Sequence, residues 1–281
     1  MTDVSVIVVA HDVRGEVLAC LASVEEHAAP ASCELLLVDN GSMDGTAEAV
    51  AEAFPAAEVV RLPRNIGVAA RNEGLRRASG RTRMFLDSDA RLTPGALAEL
   101  VRYLDANPGV GLVGPRLVYE DGTLQLSARR YPPVLVPLLS RPPLGRFFAD
   151  SATVRHHLMA DERHDVTREV EYVIGACQLF TAEAQEAAGE IDSRIFFGPD
   201  DADWCFRIRR AGLSIVYHPA ATVVHAYRRT SAASPLSRIA LEHLRAFGRF
   251  QWKWRGERAE LIREGRDMDA RMGGGQSEMP D

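Results

Sequence analysis

The chain has 281 residues, of which 46% are hydrophobic and 26% charged, with a formal net charge of −6. This composition is that of an ordinary globular protein, and the acidic balance argues against a general nucleic-acid binder. No apolar run approaches the ~20 residues of a membrane-spanning helix, and the first residues lack the pattern of a signal peptide. The cysteines form no Cys-x-x-Cys pair, which predicts free thiols in a cytoplasmic protein rather than a zinc site or a disulfide framework.

The first 110 residues alternate between short β-branched runs and segments with apolar residues at helical spacing. The runs are almost continuously apolar, which is typical of strands buried on both faces of a parallel sheet. The alternation therefore predicts an α/β fold with a doubly wound, mostly parallel sheet. The predicted strands cover residues 4–10, 34–38, 58–62 and 83–86, and the predicted helices cover residues 16–27, 46–54, 68–78 and 94–107.

Polar side chains follow each of these predicted strands. Asp12, Asp39, Asn65, Asp87 and Asp89 all lie at or just beyond a carboxyl end, where doubly wound sheets bind ligands. Each is also an ordinary turn residue, but four such ends in a row favour a nucleotide site. A Gly-x-Gly-x-x-Gly turn after the first strand and a Walker Gly-Lys-Ser/Thr are both missing from the sequence. Dinucleotide oxidoreductases and P-loop NTPases are therefore disfavoured.

Asp87 and Asp89 follow the apolar run 84–86, with Ser88 between them. Residues at this spacing on a strand point to the same face, and adjacent carboxylates repel each other unless a cation lies between them. Hard oxygen ligands suit Mg²⁺ or Mn²⁺, which also bind substrate phosphates. A solvated acidic turn is equally consistent with these residues taken alone.

The second half of the chain is less regular. Strands are predicted at 110–118, 170–181, 213–217 and 222–225, a turn at 120–123 and a helix at 183–188. Residues 131–144 look irregular, and residues 145–168 are interpreted as a helix or a mobile loop whose histidines (His156, His157 and His164) are plain surface residues. Gly175 and Ala176 interrupt a strand-like run, where small residues permit close approach of a ligand or another backbone.

Three acids, Asp200, Asp201 and Asp203, open a predicted amphipathic helix that ends near residue 211. Acids in a first helical turn are favoured by the helix macrodipole, and Asp203 fits this explanation best. Asp201 is the candidate for a chemical role, because a carboxylate beside others at the mouth of a cleft can act as a general base.

Residues 228–258 contain eight basic and two acidic residues, interleaved with aromatic and aliphatic ones. The segment is consistent with a basic amphipathic helix on an anionic membrane surface, or with a terminal helix packed on the domain, and the packed form is favoured. The polar and glycine-rich residues 268–281 are predicted to be disordered.

Six short motifs, in this order and at this spacing, resemble family 2 glycosyltransferases with the GT-A fold, in their rhamnosyltransferase-like branch. The resemblance covers about residues 3–232. The motifs are Val-Asp-Asn-Gly-Ser-Met-Asp-Gly-Thr (38–46), Arg-Asn-Ile-Gly-Val-Ala-Ala-Arg-Asn (64–72), Leu-Asp-Ser-Asp-Ala (86–90), Ile-Gly-Ala-Cys (174–177), Phe-Phe-Gly-Pro-Asp-Asp-Ala-Asp-Trp-Cys-Phe-Arg (196–207) and Val-Val-His (223–225).

The resemblance implies a Rossmann-like sheet in one GT-A domain, residues 1–232, with a nucleotide-binding half (1–110) and an acceptor half (111–232). A helical tail over 233–267 would follow. In the first half the resemblance implies that Asp39 recognises the nucleobase with Asp12 beside it. The residues implied to line the rest of the nucleotide-sugar pocket are Asn65, Arg71, Asp87 and Ser88.

For the metal and the acceptor, the resemblance implies a second set of residues. Asp89 and His225, with Asp87, would hold the Mn²⁺ or Mg²⁺ that bridges the diphosphate, and Asp201 would be the catalytic base. The implied acceptor-binding residues are Gly175, Ala176, Asp200 and Trp204, and the implied diphosphate-binding residues are Arg228 and Arg229. Two motifs depart from the family pattern: His11-Asp12 stands where Tyr-Asn is usual, and Asp200-Asp201 where Glu-Asp is usual.

These roles imply an inverting transfer of a sugar, with rhamnose as the family-level expectation, from a dTDP- or UDP-sugar to a saccharide or lipid-linked acceptor. Such an enzyme would serve cell wall polysaccharide synthesis in the cytoplasm, with peripheral contact at the inner face of the membrane through its tail. A sugar-1-phosphate nucleotidyltransferase shares the sheet and the acidic pair, but residues 11–15 match its Gly-rich basic loop poorly. A non-catalytic nucleotide-sugar-binding protein would keep the pocket without needing Asp201.

Overall fold

The computed structural model describes residues 2–134, 136, 145–148, 150–226 and 238–273. Its first part is a parallel sheet with helical connections, as predicted from the alternating pattern. The strands are β1 (Val4–Ala10), β2 (Cys33–Asp39), β3 (Glu58–Arg61) and β4 (Thr82–Asp87), and the helices are α1 (Arg14–His27), α2 (Thr46–Ala53) and α3 (Arg71–Arg77). The strand order is β3-β2-β1-β4, and a 3₁₀ turn over Gly67–Ala70 precedes α3.

The second part extends the same sheet beyond β4 in the order β4-β11-β6-β12-β5. Here β11 runs antiparallel to both of its neighbours, whereas β6 and β12 are parallel. The elements are β5 (Ala90–Leu92), α4 (Ala96–Ala106), β6 (Val110–Val118), β7 (Leu124–Gln125), β8 (Ala128–Arg129), α5 (Gly145–Phe148), α6 (Ala152–His157), β9 (Arg168–Glu169), β10 (Tyr172–Val173), β11 (Cys177–Thr181), α7 (Ala182–Ala188), α8 (Asp200–Arg210) and β12 (Ser214–His225).

Two predicted elements differ from the structure at their boundaries. The run predicted as one strand over 170–181 is divided, because Ile174–Ala176 leaves the ladder between β10 and β11. The two strands predicted over 213–217 and 222–225 are one strand, β12, with a register shift between His218 and Thr222. Pro219 lies in this shift, and its missing N–H explains the interruption of the ladder.

Side chains from both faces of the sheet are buried, as the apolar strands require. In β1, Val6 and Val8 belong to one hydrophobic cluster under α1 and α4, while Ile7 points to a second cluster on the other face. The second cluster is rich in aromatic residues from β4, β11 and α8. It includes Phe85, Phe180 and Trp204.

Two further helices, α9 (Arg238–Lys253) and α10 (Arg258–Gly273), cover the second cluster with Phe250 and Leu261, and the turn between them adds Trp254. Helix α10 continues to residue 273 with Met268 buried, so the disorder predicted from residue 268 does not hold for 268–273. Residues 274–281 lie outside the described part of the chain.

Histidine placement also differs from the prediction of plain surface residues. His157 is buried, its Nδ1 lies 2.9 Å from the carbonyl oxygen of Arg130, and burial lowers its pKa to about 3. His164 is half-buried and packs edge-on against Tyr217. Apolar residues show no regular spacing in residues 145–168, so the sequence did not predict this packing.

Candidate functional site

The acidic pair and the histidine singled out in the sequence come together at one edge of the sheet. Strand β4 ends at Asp87, and Asp89 follows two residues later. Strand β12 pairs with β5 so that His225 lies opposite Ala90, and the Ala226 N–H donates to the Asp89 carbonyl oxygen at 3.0 Å. The backbone register therefore places the imidazole beside Asp89.

The side chains of Asp87, Asp89 and His225 form a donor set suited to a divalent cation. His225 Nε2 lies 3.2 Å from Asp89 Oδ1 and 3.9 Å from Asp87 Oδ2, and one ligand atom from each residue falls within 4.8 Å of the others. Burial lowers the pKa of His225, but the hydrogen bond to Asp89 and the two negative charges raise it more, and the net pKa is raised. Two carboxylates and one imidazole fit Mn²⁺ or Mg²⁺.

Arg71, at the start of α3, joins this cluster to the acidic helix. One guanidinium nitrogen donates to Asp87 Oδ1 at 2.9 Å and to the Gly175 carbonyl oxygen at 3.0 Å, and the other donates to Asp200 Oδ2 at 3.0 Å. The guanidinium also lies over the Phe85 ring, 4.9 Å from its centroid. Arg71 is thus held in place from four sides.

Asp200 and Asp201 occupy the first turn of α8 with unlike surroundings. Burial raises the pKa of Asp200 to about 7, while Arg71 lowers it and the charge of Asp201 raises it further. Burial also raises the pKa of Asp201, against hydrogen bonds from the backbone N–H groups of Ala202 and Gly175 and the charges of Arg71 and Arg129. A carboxylate with a raised pKa is a better proton acceptor, as a general base requires.

The residues implied to bind the nucleotide lie at the ends of β1 and β2. Asp39 is buried and accepts a hydrogen bond from the Ser42 N–H at 3.2 Å, while Asp12 is exposed and accepts one from the Met43 N–H at 2.7 Å. Asn65 Oδ1 accepts from Asn40 Nδ2 at 3.0 Å. These carboxylates and amides hold the loops that would surround a base and ribose.

The remaining predicted residues divide between the site and the core. Ser88 is half-buried between the two acids, and the Ala176 carbonyl oxygen accepts a hydrogen bond from the Asp87 N–H at 2.9 Å. Trp204, however, is fully buried between Phe85 and Phe180 and offers no surface to an acceptor. A tryptophan in the helix motif gave no sign of which face it would occupy. Arg228 and Arg229 lie outside the described residues.

Two polar residues make contacts that the sequence did not predict. Gln125 was not singled out at all, and Asp203 was explained only as an acid at the start of a helix. Gln125 lies 2.7 Å from His225, and no local pattern indicated it. Asp203 is buried and accepts hydrogen bonds from Trp254 Nε1 at 3.0 Å and Arg207 Nε at 3.1 Å, with Lys253 Nζ 2.6 Å away. It therefore fixes the C-terminal helices rather than only favouring the start of a helix.

Comparison with known proteins assigns the chain to a family. The sequence profile of glycosyl transferase family 2 matches residues 5–184. The chain belongs to this family and is a glycosyltransferase. It is 28% identical over 222 residues to an N-acetylglucosaminyl-diphospho-decaprenol L-rhamnosyltransferase of Mycobacterium tuberculosis, covering 74% of this chain and 71% of that one. It is also 34% identical over 134 residues to the glycosyltransferase AglE of Haloferax volcanii, covering 46% and 43% of the two chains.

Solved structures confirm the GT-A fold. The mannosyltransferase PcManGT of Pyrobaculum calidifontis, in complex with GDP-Man and Mn²⁺, matches 82% of this chain with a TM-score of 0.57 and 23% identity. GalNAc-T7 with UDP, GalNAc and Mn²⁺ matches 92% of this chain with a TM-score of 0.68 and 18% identity. The chain spans 58% and 50% of the length of these two structures. Among the described residues, no helix has both the length and the apolar character needed to cross a bilayer.

Proposed function

We propose that this glycosyltransferase is metal-dependent and transfers a sugar with inversion from a nucleoside diphosphate sugar to an acceptor hydroxyl. The observation that carries the proposal is the shared guanidinium of Arg71, which bonds to Asp87 at 2.9 Å and to Asp200 at 3.0 Å. One side chain therefore contacts both the candidate metal cluster and the first turn of α8, which carries the candidate base Asp201. A metal site for the diphosphate and a carboxylate for the acceptor hydroxyl are the two groups that the proposed sugar transfer needs.

In the proposed reaction, Asp201 accepts the proton of the acceptor hydroxyl while the hydroxyl oxygen attacks the anomeric carbon. The bond from that carbon to the diphosphate oxygen breaks, and the nucleoside diphosphate leaves. Asp87, Asp89 and His225 would hold Mn²⁺ or Mg²⁺, which would supply positive charge to stabilise the leaving nucleoside diphosphate. Both contributions act on charge that develops in the transition state, where interactions accelerate the chemistry. The donor would be oriented by the residues of the nucleotide-sugar pocket: Asp12, Asp39, Asn65, Arg71 and Ser88. Charge on the diphosphate would be stabilised further by Arg228 and Arg229.

For the substrates, the proposal is a dTDP-sugar such as dTDP-rhamnose, or a UDP-sugar, and a saccharide or lipid-linked acceptor. The curated mycobacterial relative, named as a rhamnosyltransferase acting on a diphospho-decaprenol, supports this choice. The acceptor would lie against Gly175 and Asp200, and the buried Ala176 would fix the backbone next to them. The Gly175 N–H donates to the candidate base, Asp201. Such a reaction would serve cell wall polysaccharide synthesis.

We also propose that the outer face of α9 contacts the inner surface of the cell membrane. Leu241, Leu244 and Trp252 share this face at helical spacing and are 46%, 48% and 66% exposed. The Arg255 guanidinium lies over the Trp252 ring, 4.2 Å from its centroid. Exposed leucines beside an aromatic ring and arginines are typical of helices at an anionic lipid surface.

Replacing the base tests the proposal. Asp201→Asn should lower turnover by ~10²–10⁴-fold, the usual contribution of a general base. Calorimetry with dTDP or UDP and Mn²⁺ should show nucleotide binding unchanged, because Asp201 is outside the metal cluster. Asp105→Asn, at an exposed ion pair with Arg81, is the matched control. Turnover is measured as release of dTDP or UDP from the corresponding rhamnose or hexose donors.

Wild-type turnover in Asp201→Asn would exclude Asp201 as the base. Nucleotide binding without any hydrolysis or transfer from these donors in the wild-type protein would favour a non-catalytic binding protein instead.

A further inference from the structure

Gln125 lies on the same face of the sheet as His225. In the ladder, Gln125 of β7 is opposite Leu117 of β6, which is in turn opposite Val223 of β12. Residues directly opposite each other share a face, and so do residues two apart on one strand. His225, two residues beyond Val223, therefore points to the side on which Gln125 lies.

The amide of Gln125 contacts the imidazole nitrogen that faces away from the acids. Gln125 Oε1 is 2.7 Å from His225 Nδ1, while His225 Nε2 is 3.2 Å from Asp89 Oδ1. An amide oxygen accepts hydrogen bonds and does not donate them, so Nδ1 carries the proton in this arrangement. In the absence of a cation, the hydrogen bond to Asp89 places a second proton on Nε2. When a cation displaces that proton, the imidazole keeps its proton on Nδ1 and has its lone pair on Nε2, on the side of Asp87 and Asp89.

Gln125 is an unusual choice for this position on structural grounds alone. The residue is 4% exposed, and its Nε2 has no hydrogen-bond partner among the described residues. A buried donor without an acceptor is costly, and a leucine or methionine of similar size would avoid that cost. The amide oxygen, in contrast, has a partner in His225 Nδ1, 2.7 Å away.

We propose that Gln125 is a positioning residue that fixes the tautomer and ring orientation of His225, so that Nε2 is ready to bind a divalent cation. The inference rests on the proposed metal site and extends it by one residue. Removing the group that accepts the second N–H of a metal-binding histidine typically lowers metal affinity by ~10–100-fold.

The direct test measures Mn²⁺ affinity by electron paramagnetic resonance of free Mn²⁺, without donor or acceptor. Gln125→Met should weaken Mn²⁺ binding by ~10–100-fold, because Nδ1 loses its acceptor. Gln125→Glu should bind Mn²⁺ at least as tightly as wild type, since a carboxylate accepts the same Nδ1–H. Gln178→Met, a buried glutamine whose Nε2 donates to the Val173 carbonyl oxygen, is the control and should leave the affinity unchanged.

The opposite hydrogen-bond direction predicts a different result. If the amide donated to Nδ1, a glutamate would not replace it, and Gln125→Glu would lose as much affinity as Gln125→Met. Equal losses in the two variants, or no loss in Gln125→Met, would overturn the inference. Gln125→Asn withdraws the oxygen by one methylene with little change in polarity and serves if the methionine variant does not fold.

A double-mutant cycle separates this inference from the metal site itself. In a His225→Ala background, Gln125→Met should produce no further loss of Mn²⁺ affinity, because its effect passes through the imidazole. A full additional loss would show that Gln125 acts by another route. If His225→Ala and Asp89→Ala both bound Mn²⁺ like wild type, the proposed metal site would fail, and the role of Gln125 with it.

Discussion

Burial and the positive charge of Arg71 act in opposite directions on the pKa values of the two neighbouring acids of α8. Asp200 bonds to Arg71 at 3.0 Å, yet burial raises its pKa to about 7, and the charge of Asp201 contributes in the same direction. Burial raises the pKa of Asp201 as well. Because two adjacent carboxylates titrate together, the protons leave the pair in linked steps rather than from independent groups.

This pair predicts a pH dependence of turnover. The base must be deprotonated to act, so kcat should rise as pH increases through the pKa of Asp201, which burial raises above its ordinary value. Asp200→Asn removes a like charge beside Asp201, which makes Asp201 easier to deprotonate and moves the acidic limb to lower pH. The measurement is kcat against pH at saturating substrates for both proteins. An acidic limb that stays in place, or moves to higher pH, would contradict the assignment.

At the scale of single residues, sequence reasoning succeeded where the residue type and its place at a strand end carry the information. Asp87 and Asp89 were singled out this way, His225 was added by the resemblance to the family, and the three lie together in the structure. Gln125 was missed because its partner is 100 positions away and the contact depends on register. Trp204 was predicted to bind the acceptor but is buried in the core, because a residue within a functional motif can pack beneath the site instead of facing it.

At the scale of elements, the turn before α3 is held against the loop that leads into α8. The Val68 N–H donates to the Phe196 carbonyl oxygen at 3.0 Å. Gly67 has a positive φ of 69°, and a Cβ at this position would overlap that same carbonyl group. The glycine therefore serves both a left-handed conformation and a close approach between two segments of the site.

Two glycine substitutions separate these requirements. Gly95 has a similar φ of 78°, but a methyl group at this position would meet no heavy atom within 4 Å. Gly95→Ala should therefore cost only the backbone strain, about 1–2 kcal/mol. Gly67→Ala adds an overlap with backbone and should cost ~1–3 kcal/mol more. Denaturant unfolding of both variants gives the comparison. Equal losses of unfolding free energy would show that the two segments separate without cost.

Element prediction was accurate for long apolar runs and poor for short pairings. The strands β1, β2 and β4 were predicted because their own residues favour buried extended structure. The strands β5 and β7 have three and two residues and exist through pairing with β12 and β6, which no local pattern shows. These two short strands position Asp89 and Gln125, so the least predictable elements are close to the chemistry.

At the scale of the whole molecule, the C-terminal helices have a buried and an exposed side with different roles. Phe250 and Trp254 pack on Phe206, with ring centroids 5.8 and 5.6 Å from it, and Trp254 bonds to the buried Asp203. The opposite side carries the exposed Leu241 and Leu244. The sequence showed the amphipathic character of this segment, but only the packing of Asp203 shows which side faces the domain.

The membrane proposal predicts a specific loss of lipid binding. Leu241→Glu combined with Leu244→Glu should lower partitioning into vesicles containing phosphatidylglycerol by at least about tenfold, since burying one leucine contributes ~1.5–3 kcal/mol. Met43→Glu, at an almost fully exposed apolar residue elsewhere on the surface, should have little effect. Co-sedimentation with and without salt separates the contribution of the leucines from that of the arginines, because salt screens the attraction between arginines and anionic lipid. Equal losses in both proteins would indicate a general effect of added negative charge.

The guanidinium of Arg71 makes the two halves of the site interdependent. It pairs with both Asp87 and Asp200, which belong to segments that meet only through folding. Asp200 lies 129 positions beyond Arg71 in the chain. Any change that alters the charge around Asp87 should therefore alter the proton affinity of Asp200. An ammonium group lacks the fork that reaches two carboxylates and a carbonyl oxygen at once, so lysine is a poor substitute here. Efforts to redirect donor choice in this enzyme should therefore expect its acidity profile to change with it.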